Sequence, residues 1–309
     1  MTLPLALQVA IEEHLQGISL TQLKKEAEGQ SSRYRGGQGS VFQSDAQCLA
    51  YLASRVPATY GAVEAVLRQM GSWWRGSTLL DLGAGPGTAG WAAWECFPFL
   101  VKPVLVERSA PMIRWGKKLA AHHPVLANAE WIQGDLLRDY GPADLVIVSY
   151  ALGELAHPLQ ILDVLWQYPL AVVIEPGTPQ GFERIRQIRT EWLQRGGFLI
   201  APCPHALACP MTKGDWCHFS ARIPRTKIHR LLKSGDLGYE DEKFSYLILS
   251  RTSRPQVSNR ILRHPIQTSG QVQLVLCTHS GEIEKKSITR KEGEIYKAAK
   301  HAKWGDGSM

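Results

Sequence analysis

Between Leu79 and Thr88 the chain reads Leu-Leu-Asp-Leu-Gly-Ala-Gly-Pro-Gly-Thr. An apolar run followed by three closely spaced glycines predicts a buried strand, a tight turn and the start of a helix. Glycine lets the backbone turn sharply and approach a ligand, and the first N–H groups of a helix are free to meet one. The spacing is Gly-x-Gly-x-Gly, whereas a loop built for a pyrophosphate reads Gly-x-Gly-x-x-Gly. Asp81 stands two residues before Gly83 and suits the cationic end of an amino acid. Glu107 closes the apolar run Val104-Leu105-Val106, where an acid can accept both hydroxyls of a ribose. Asp135, followed by Leu136, stands after a third short run and is placed to meet an adenine amino group. With Gly83, Ala84, Gly85, Gly87 and Thr88 these residues describe a pocket for a nucleoside that carries a charged amino-acid tail.

A second group is made of thiols. Cys203, Cys209 and Cys217 fall within fifteen residues, in a segment broken by Pro202, Pro204, Pro210 and Gly214. Thiolates are soft ligands for zinc or iron-sulfur clusters, and 6 cysteines in 309 residues are too sparse for a disulfide scaffold. The spacings do not match the short knuckles of structural zinc. A fourth ligand has to come from elsewhere in the chain. Cys277 is the best candidate, because Cys48 and Cys96 fall inside predicted helices; His205, His218 and His279 stay open as substitutes.

The elements that must position these groups follow from the hydrophobic pattern. Short apolar runs at 78–82, 103–107, 130–133, 144–149 and 170–175 alternate with helical stretches at 88–96, 111–122, 158–167 and 179–195, the signature of a parallel sheet covered on both faces. A later run, 243–250, alternates and is expected to add an antiparallel strand. Three acids at successive strand ends converge where open α/β sheets bind ligands. Residues 76–250 therefore resemble the class I (Rossmann-like) methyltransferases, and the resemblance implies S-adenosyl-L-methionine as cofactor. Methyl transfer is mainly a positioning problem. The acceptor side would be built by 149–154 and 175–178, with Tyr150, Glu154 and Glu175 able to orient an acceptor, to take its proton, or only to make structural hydrogen bonds. The loop after the fourth strand lacks the Asn-Pro-Pro-Tyr or Asp-Pro-Pro-Tyr sequence used on exocyclic amino groups.

The remainder divides into flanking regions. Residues 1–72 read as a helical region with a break at Pro57 and a glycine-bearing loop from Ser31 to Ser40; 73–253 as the cofactor domain with a cysteine-rich, metal-binding insertion at 197–235; and 254–309 as a small basic β module. That module has a strand-like run from Val272 to Cys277, a turn at Ser280-Gly281 and a basic end from Tyr296 to Trp304. Net charge is +7, but residues 181–309 hold 22 basic against 12 acidic side chains while 1–180 hold 13 against 16. Such a basic half fits a polyanion, RNA first of all, and the candidates to grip it are Arg222, Arg225, Lys227, Arg230, Lys285, Lys286 and Arg290. No run approaches the roughly 20 apolar residues of a bilayer span, so no membrane partner is expected. The opening residues lack a basic leader pattern, which suggests a cytoplasmic protein.

Longer strings narrow the reading. Glu175-Pro-Gly-Thr-Pro, Cys203-Pro-His, Cys209-Pro-Met, Trp216-Cys217-His218-Phe219-Ser220, the Arg222 and Arg225 pair, the stretch from Tyr239 to Tyr246, and Lys303-Trp304-Gly305-Asp306 together resemble the Rsm-twenty-two, or methyltransferase-like-seventeen, family from about Ala46 to Asp306. The resemblance implies a 4Fe-4S cluster held by Cys203, Cys209, Cys217 and Cys277, in place of zinc. It implies binding to small-subunit rRNA on the assembling small ribosomal subunit, in ribosome biogenesis or translation, by a chain that is monomeric off the ribosome. It leaves two roles open: an rRNA methyltransferase, or a non-catalytic platform with the same fold. The lack of a leader suggests a bacterial-type member.

Overall fold

The computed structural model describes residues 2–35, 42, 44–71, 73–232 and 237–308. The chain divides into two compact units, Met1–Glu175 with Ala221–Glu242 and Pro176–Ser220 with Lys243–Met309.

The first unit opens with four helices, α1 (Leu5–Leu15), α2 (Leu20–Arg35), α3 (Asp45–Ser54) and α4 (Val56–Leu67). Ser44 caps α3 by accepting the Gln47 N–H, and Pro57 sits in the first turn of α4, where its missing N–H is not needed. Of the loop expected from Ser31 to Ser40, the first residues are helical, because α2 continues through Arg35; its glycines, Gly36, Gly37 and Gly39, lie outside the described residues.

Five parallel strands follow: β1 (Thr78–Leu82), β2 (Lys102–Glu107), β3 (Glu130–Gln133), β4 (Leu145–Ser149) and β5 (Leu170–Pro176). They lie in the order β3-β2-β1-β4-β5. Helices α5 (Thr88–Cys96), α6 (Ala110–Ala120) and α7 (Ile161–Leu165) connect them. This is a Rossmann-like methyltransferase arrangement with a mostly parallel sheet. Leu79 to Leu82 are all buried, which explains a run that is apolar but for Asp81: a strand covered on both faces has no solvent side to leave polar. Asp144 ties the starts of β1 and β4 together by accepting from the N–H groups of Ser77 and Thr78. The strand order reverses between β1 and β4, so the connections part there and leave a crevice at their carboxyl ends. The expected helix at 158–167 is shorter, entering through a 3-10 turn at Pro158–Gln160.

Beyond β5 the chain forms α8 (Pro179–Gln194) and β6 (Phe198–Ala201), then β7 (Phe219–Pro224), α9 (Lys227–Leu232) and the long β8 (Tyr239–Ser250). Within the second unit the 243–250 part of β8 pairs antiparallel with β6. A second sheet follows, made of β9 (Asn259–Ile261), β10 (Ile266–Thr268), β11 (Gln271–Thr278), β12 (Ile283–Thr289) and β13 (Gly307–Ser308), with α10 (Glu294–His301) placed between β12 and β13 in the chain. The basic end expected after Tyr296 is mostly this helix.

Alternation gives β11 two different faces. Val272, Leu274 and Leu276 enter one core with Ile261, Ile288 and Ala299. Cys277 enters another with Phe182, Met211 and Leu262, and Val275 packs against that second core. One strand thus serves the terminal module and the cysteine segment together.

Candidate functional site

The glycine turn is held from below by its own strand neighbour. The N–H groups of Gly83 and Ala84 both donate to the Val106 carbonyl at 2.9 Å, which bends the chain back over β2. Gly83 and Gly85 have φ of +75° and +56°, a left-handed conformation in which glycine carries no Cβ penalty. Glu107 closes the turn: its Oε2 accepts the Gly85 N–H at 2.9 Å and its Oε1 the Ser109 N–H at 2.7 Å. Each carboxylate oxygen keeps a second lone pair, so a residue that shapes the loop can still accept a ligand hydroxyl. Asp135 accepts from the Leu137 N–H, the Gly134 N–H reaches the Glu107 carbonyl, and Leu136 lies beside Gly83. The turn thus brings Gly83, Ala84, Gly85 and Glu107 together, with the Gly134 backbone and Leu136 beside them.

Two side chains in this turn lack what buried polar groups normally have. Asp81 is 0% exposed and neither carboxylate oxygen has a hydrogen-bond partner; the buried Thr88 hydroxyl is unpartnered too. Burial, reinforced by the negative charge of Glu107, pushes the Asp81 carboxyl up to about 7, and the Gly90 backbone offsets part of the rise. The ordinary value is 3.8, so the folded state holds this proton more tightly than the unfolded chain. Without a ligand, stability contributed here is present below the unfolded value and lost as pH rises from about 4 to about 7. A ligand amine favours the carboxylate and reverses the preference. S-adenosylmethionine affinity is therefore expected to rise as pH passes through about 7, and Asp81→Asn to bind weakly throughout. Calorimetry on the two proteins across that range decides it: the same pH-independent affinity in both would remove Asp81 from the site.

The acceptor-side candidates are occupied. Tyr150, at the end of β4, has a φ of +57°, a strained state for a bulky side chain that concentrates at functional sites. Its hydroxyl donates to Glu242 Oε1 at 3.0 Å, and Arg55 grips the same carboxylate at 3.0 and 3.4 Å. Glu154 pairs with Arg108 at 2.6 Å. Glu175 is buried and accepts the Leu152 N–H at 3.2 Å. Arg55 and Glu242 escaped the sequence reading because they lie 187 residues apart, with no local spacing to join them.

The four expected cysteines line one cavity of about 40 Å³ in the second unit, together with Arg189, His205 and Arg260. All four are free thiols. Burial and the neighbouring Cys203, Cys209 and Cys277 push the Cys217 thiol well up, and burial followed by Cys203 and Cys209 pushes Cys277 up to about 12. Thiols so crowded resist ionising together unless a cation joins them. Of the possible substitutes, His205 lines the cavity, while His218 stacks on Trp216 and meets its carbonyl. The metal-binding insertion expected at 197–235 is not shown: among the described residues, no three His, Cys, Asp or Glu side chains are gathered around a point as a single bound ion would gather them.

The expected RNA contacts fare unevenly. Arg222 meets Asp241 with two hydrogen bonds of 2.8 and 2.9 Å and lies over the Tyr239 ring. Arg225 and the buried His229 both face Glu240. A phosphate would have to compete with those carboxylates. Lys227 and Arg230 are exposed on α9 in the first unit; Lys285, Lys286 and Arg290 are exposed in the second. Lysines on β12 also have a structural reason, because that strand pairs with β11 alone among the described strands and edge charges block unwanted strand addition.

Comparison with known proteins was informative. The family model described as "Mitochondrial small ribosomal subunit Rsm22" matches residues 45–308. The chain is 28% identical over 327 residues to the ribosome assembly protein METTL17, mitochondrial, of Homo sapiens, covering 96% of this chain and 68% of that one. It is 23% identical to the Schizosaccharomyces pombe Rsm22-cox11 tandem protein 2, mitochondrial, covering 85% and 43%, and 23% identical to the Saccharomyces cerevisiae ribosome assembly protein RSM22, mitochondrial, covering 53% and 44%. The chain thus spans about two thirds of the human relative and less than half of the yeast ones. A SAM-dependent methyltransferase from Aquifex aeolicus superposes with a TM-score of 0.44 at 13% identity, covering 68% of this chain and 100% of that one; at that distance nothing is drawn from it, and the fold rests on strand order and the glycine turn. The mitochondrial names overturn the expectation of a cytoplasmic protein, and these eukaryotic relatives lend no support to a bacterial-type member.

Proposed function

The chain belongs to the Rsm22 family, whose model it matches from residue 45 to 308, and from that premise we propose that it assists small-ribosomal-subunit assembly by binding small-subunit rRNA through a methyltransferase fold that holds S-adenosylmethionine. The relatives named as mitochondrial ribosome assembly proteins support the assembly role. The observation that carries the cofactor reading is the buried, unpartnered Asp81 carboxylate beneath an open glycine turn. Asp81 would take the amine, Glu107 the ribose, and Asp135 with Leu136 the adenine. Bound there, the cofactor would supply an activated methyl group; the chain supplies the pocket that orients it.

A second, non-catalytic reading stands beside this one. Tyr150, Glu154 and Glu175 each hold protein partners, as side chains that only shape the crevice would. In that version the fold serves as a binding platform.

In the second unit Cys203, Cys209, Cys217 and Cys277 would hold a 4Fe-4S cluster, which supplies a redox-active, strongly anionic core. Four thiols and two buried guanidinium groups on one cavity wall support this.

Mapping of methyl groups on small-subunit rRNA by mass spectrometry, alongside sedimentation of subunits, tests the role in cells with and without the protein. Loss of a methyl mark supports catalysis; intact marks with deficient subunits support the platform; normal marks and normal subunits overturn the proposal. Binding of purified protein to that rRNA is expected to weaken with salt by roughly 0.7 to 0.9 log units per phosphate contact and log unit of salt. Charge reversal of Lys227 and Arg230, or of Lys285 and Lys286, should weaken all sequences alike. Arg222→Glu should matter less, because Asp241 already holds that side chain. A flat salt response would show the basic half to be only a solvated surface.

A further inference from the structure

Helix α8 presents an apolar stripe to the second unit's core, with Phe182, Ile185, Ile188 and Trp192 buried. Arg189 lies on that stripe, one turn from Ile185, and is 4% exposed. A charge in a position meant for a hydrocarbon is expensive unless something neutralises it. Two of its contacts are carbonyls: Nη2 donates to His205 O at 3.0 Å and to Leu207 O at 2.7 Å. The third is a sulfur, Nε to Cys203 Sγ at 3.3 Å. No carboxylate pairs with it among the described residues. By holding the carbonyls of His205 and Leu207, Arg189 also positions the loop that carries His205, whose Nε2 lies 3.4 Å from Cys277 Sγ. Arg260, a second buried arginine on the same cavity, spends donors on the Pro202 and Gly305 carbonyls. Arg189 thus brings a buried positive charge to the wall of the cavity that the four cysteines line.

We propose that Arg189 and His205 set the reduction potential of whatever cluster the four cysteines hold, Arg189 through its N–H···S hydrogen bond to Cys203 and His205 through Nε2, which must donate once the Cys277 sulfur it meets is a ligating thiolate. The inference rests on the cluster reading above. Reduction by one electron, supplied by dithionite in a titration, adds one negative charge to the thiolate-bound core, with no bond or proton changing hands. Donors aimed at the ligand sulfurs, and a cation beside them, stabilise that added charge and raise the potential. These two residues are positioning residues; they do not ligate.

The test is a redox titration followed by electron paramagnetic resonance on anaerobically purified full-length protein, after iron and sulfide have been measured. Arg189→Gln is expected to lower the ratio of reduced to oxidised cluster at fixed potential about tenfold, equivalent to about 59 mV for a one-electron couple. His205→Gln should shift it the same way by less, and Arg189→Lys, which keeps the charge but not the Nε geometry, should fall between. If Arg189→Gln loses its iron, the two milder variants carry the measurement. A parent protein with neither iron nor sulfide overturns the cluster reading itself. A full cluster whose potential is unmoved by any of the three variants overturns this inference and leaves the cluster reading standing.

Discussion

Gly85→Arg is expected to abolish S-adenosylmethionine binding while leaving the first unit folded. A Cβ built on Gly85 meets nothing within 4 Å, so the new side chain starts into open space rather than into a protein atom. Its backbone cost is modest, roughly 1–2 kcal/mol for an L-residue in the left-handed region, and the Gly85 N–H can still reach Glu107. The space it fills is the space that the proposed cofactor would need. A drop in affinity of about 100-fold or more, roughly 2.7 kcal/mol, is the expected calorimetric result, with a melting transition only slightly lowered. Gly83 is the useful contrast, because a Cβ there would lie 2.7 Å from that of Ala151. Gly83→Ala should therefore harm stability as well as binding. Parental affinity in Gly85→Arg would mean that the cofactor, if any, lies elsewhere.

Cys277→Ser is expected to lose iron and sulfide nearly completely and to melt the second unit roughly 10 °C or more earlier, since binding of metal to such loops is coupled to folding. The reach of the effect follows from β11. Cys277 lies on the strand whose other face builds the core of the terminal module, so loosening it disturbs both. Cys48→Ser is the control, a buried thiol on α3 in the first unit, and should keep the cluster intact. Metal analysis and calorimetric melting read both outcomes. A Cys277→Ser protein with full iron would remove Cys277 from the ligand set, and stoichiometric zinc without sulfide would replace the cluster by a zinc site.

The parts of the fold that were legible are those whose cause is local. The strand, turn and helix from Thr78 to Cys96 were read to their ends because an apolar run, three glycines and a helical pattern follow one another within nineteen residues. The five parallel strands were readable for the same reason: burial on both faces removes polar residues from each run. Element ends set by capping or by weak helices were less so. Residues 31–35, expected in a loop, continue α2, since nothing local stops that helix before Arg35, and α7 was drawn too long, since Pro158 opens a 3-10 turn first.

Charge was legible as a sum and illegible as an arrangement. A count of basic residues cannot tell Arg222, which Asp241 holds, from Lys227, which is exposed, because Coulomb energy depends on separations that the chain order does not contain. Compartment was misread on a similar ground, since the pattern of a chain's first residues carries no positive sign of where the protein works.

By itself the sequence determined the α/β class, the place of the glycine turn, the three acids that follow its strands and the grouping of Cys203, Cys209 and Cys217, because each depends on residue type and short spacing; that Cys277 shares a cavity with them was decided by the fold. Tertiary structure decided what those groups are next to. It brought Arg55 and Glu242 onto Tyr150, left Asp81 buried without a partner, and set Arg189 against Cys203 from a helix position that periodicity would assign to a hydrophobe. Burial and long-range proximity set the dielectric, the available donors and the cost of each charge, and those quantities come into being only when distant segments pack.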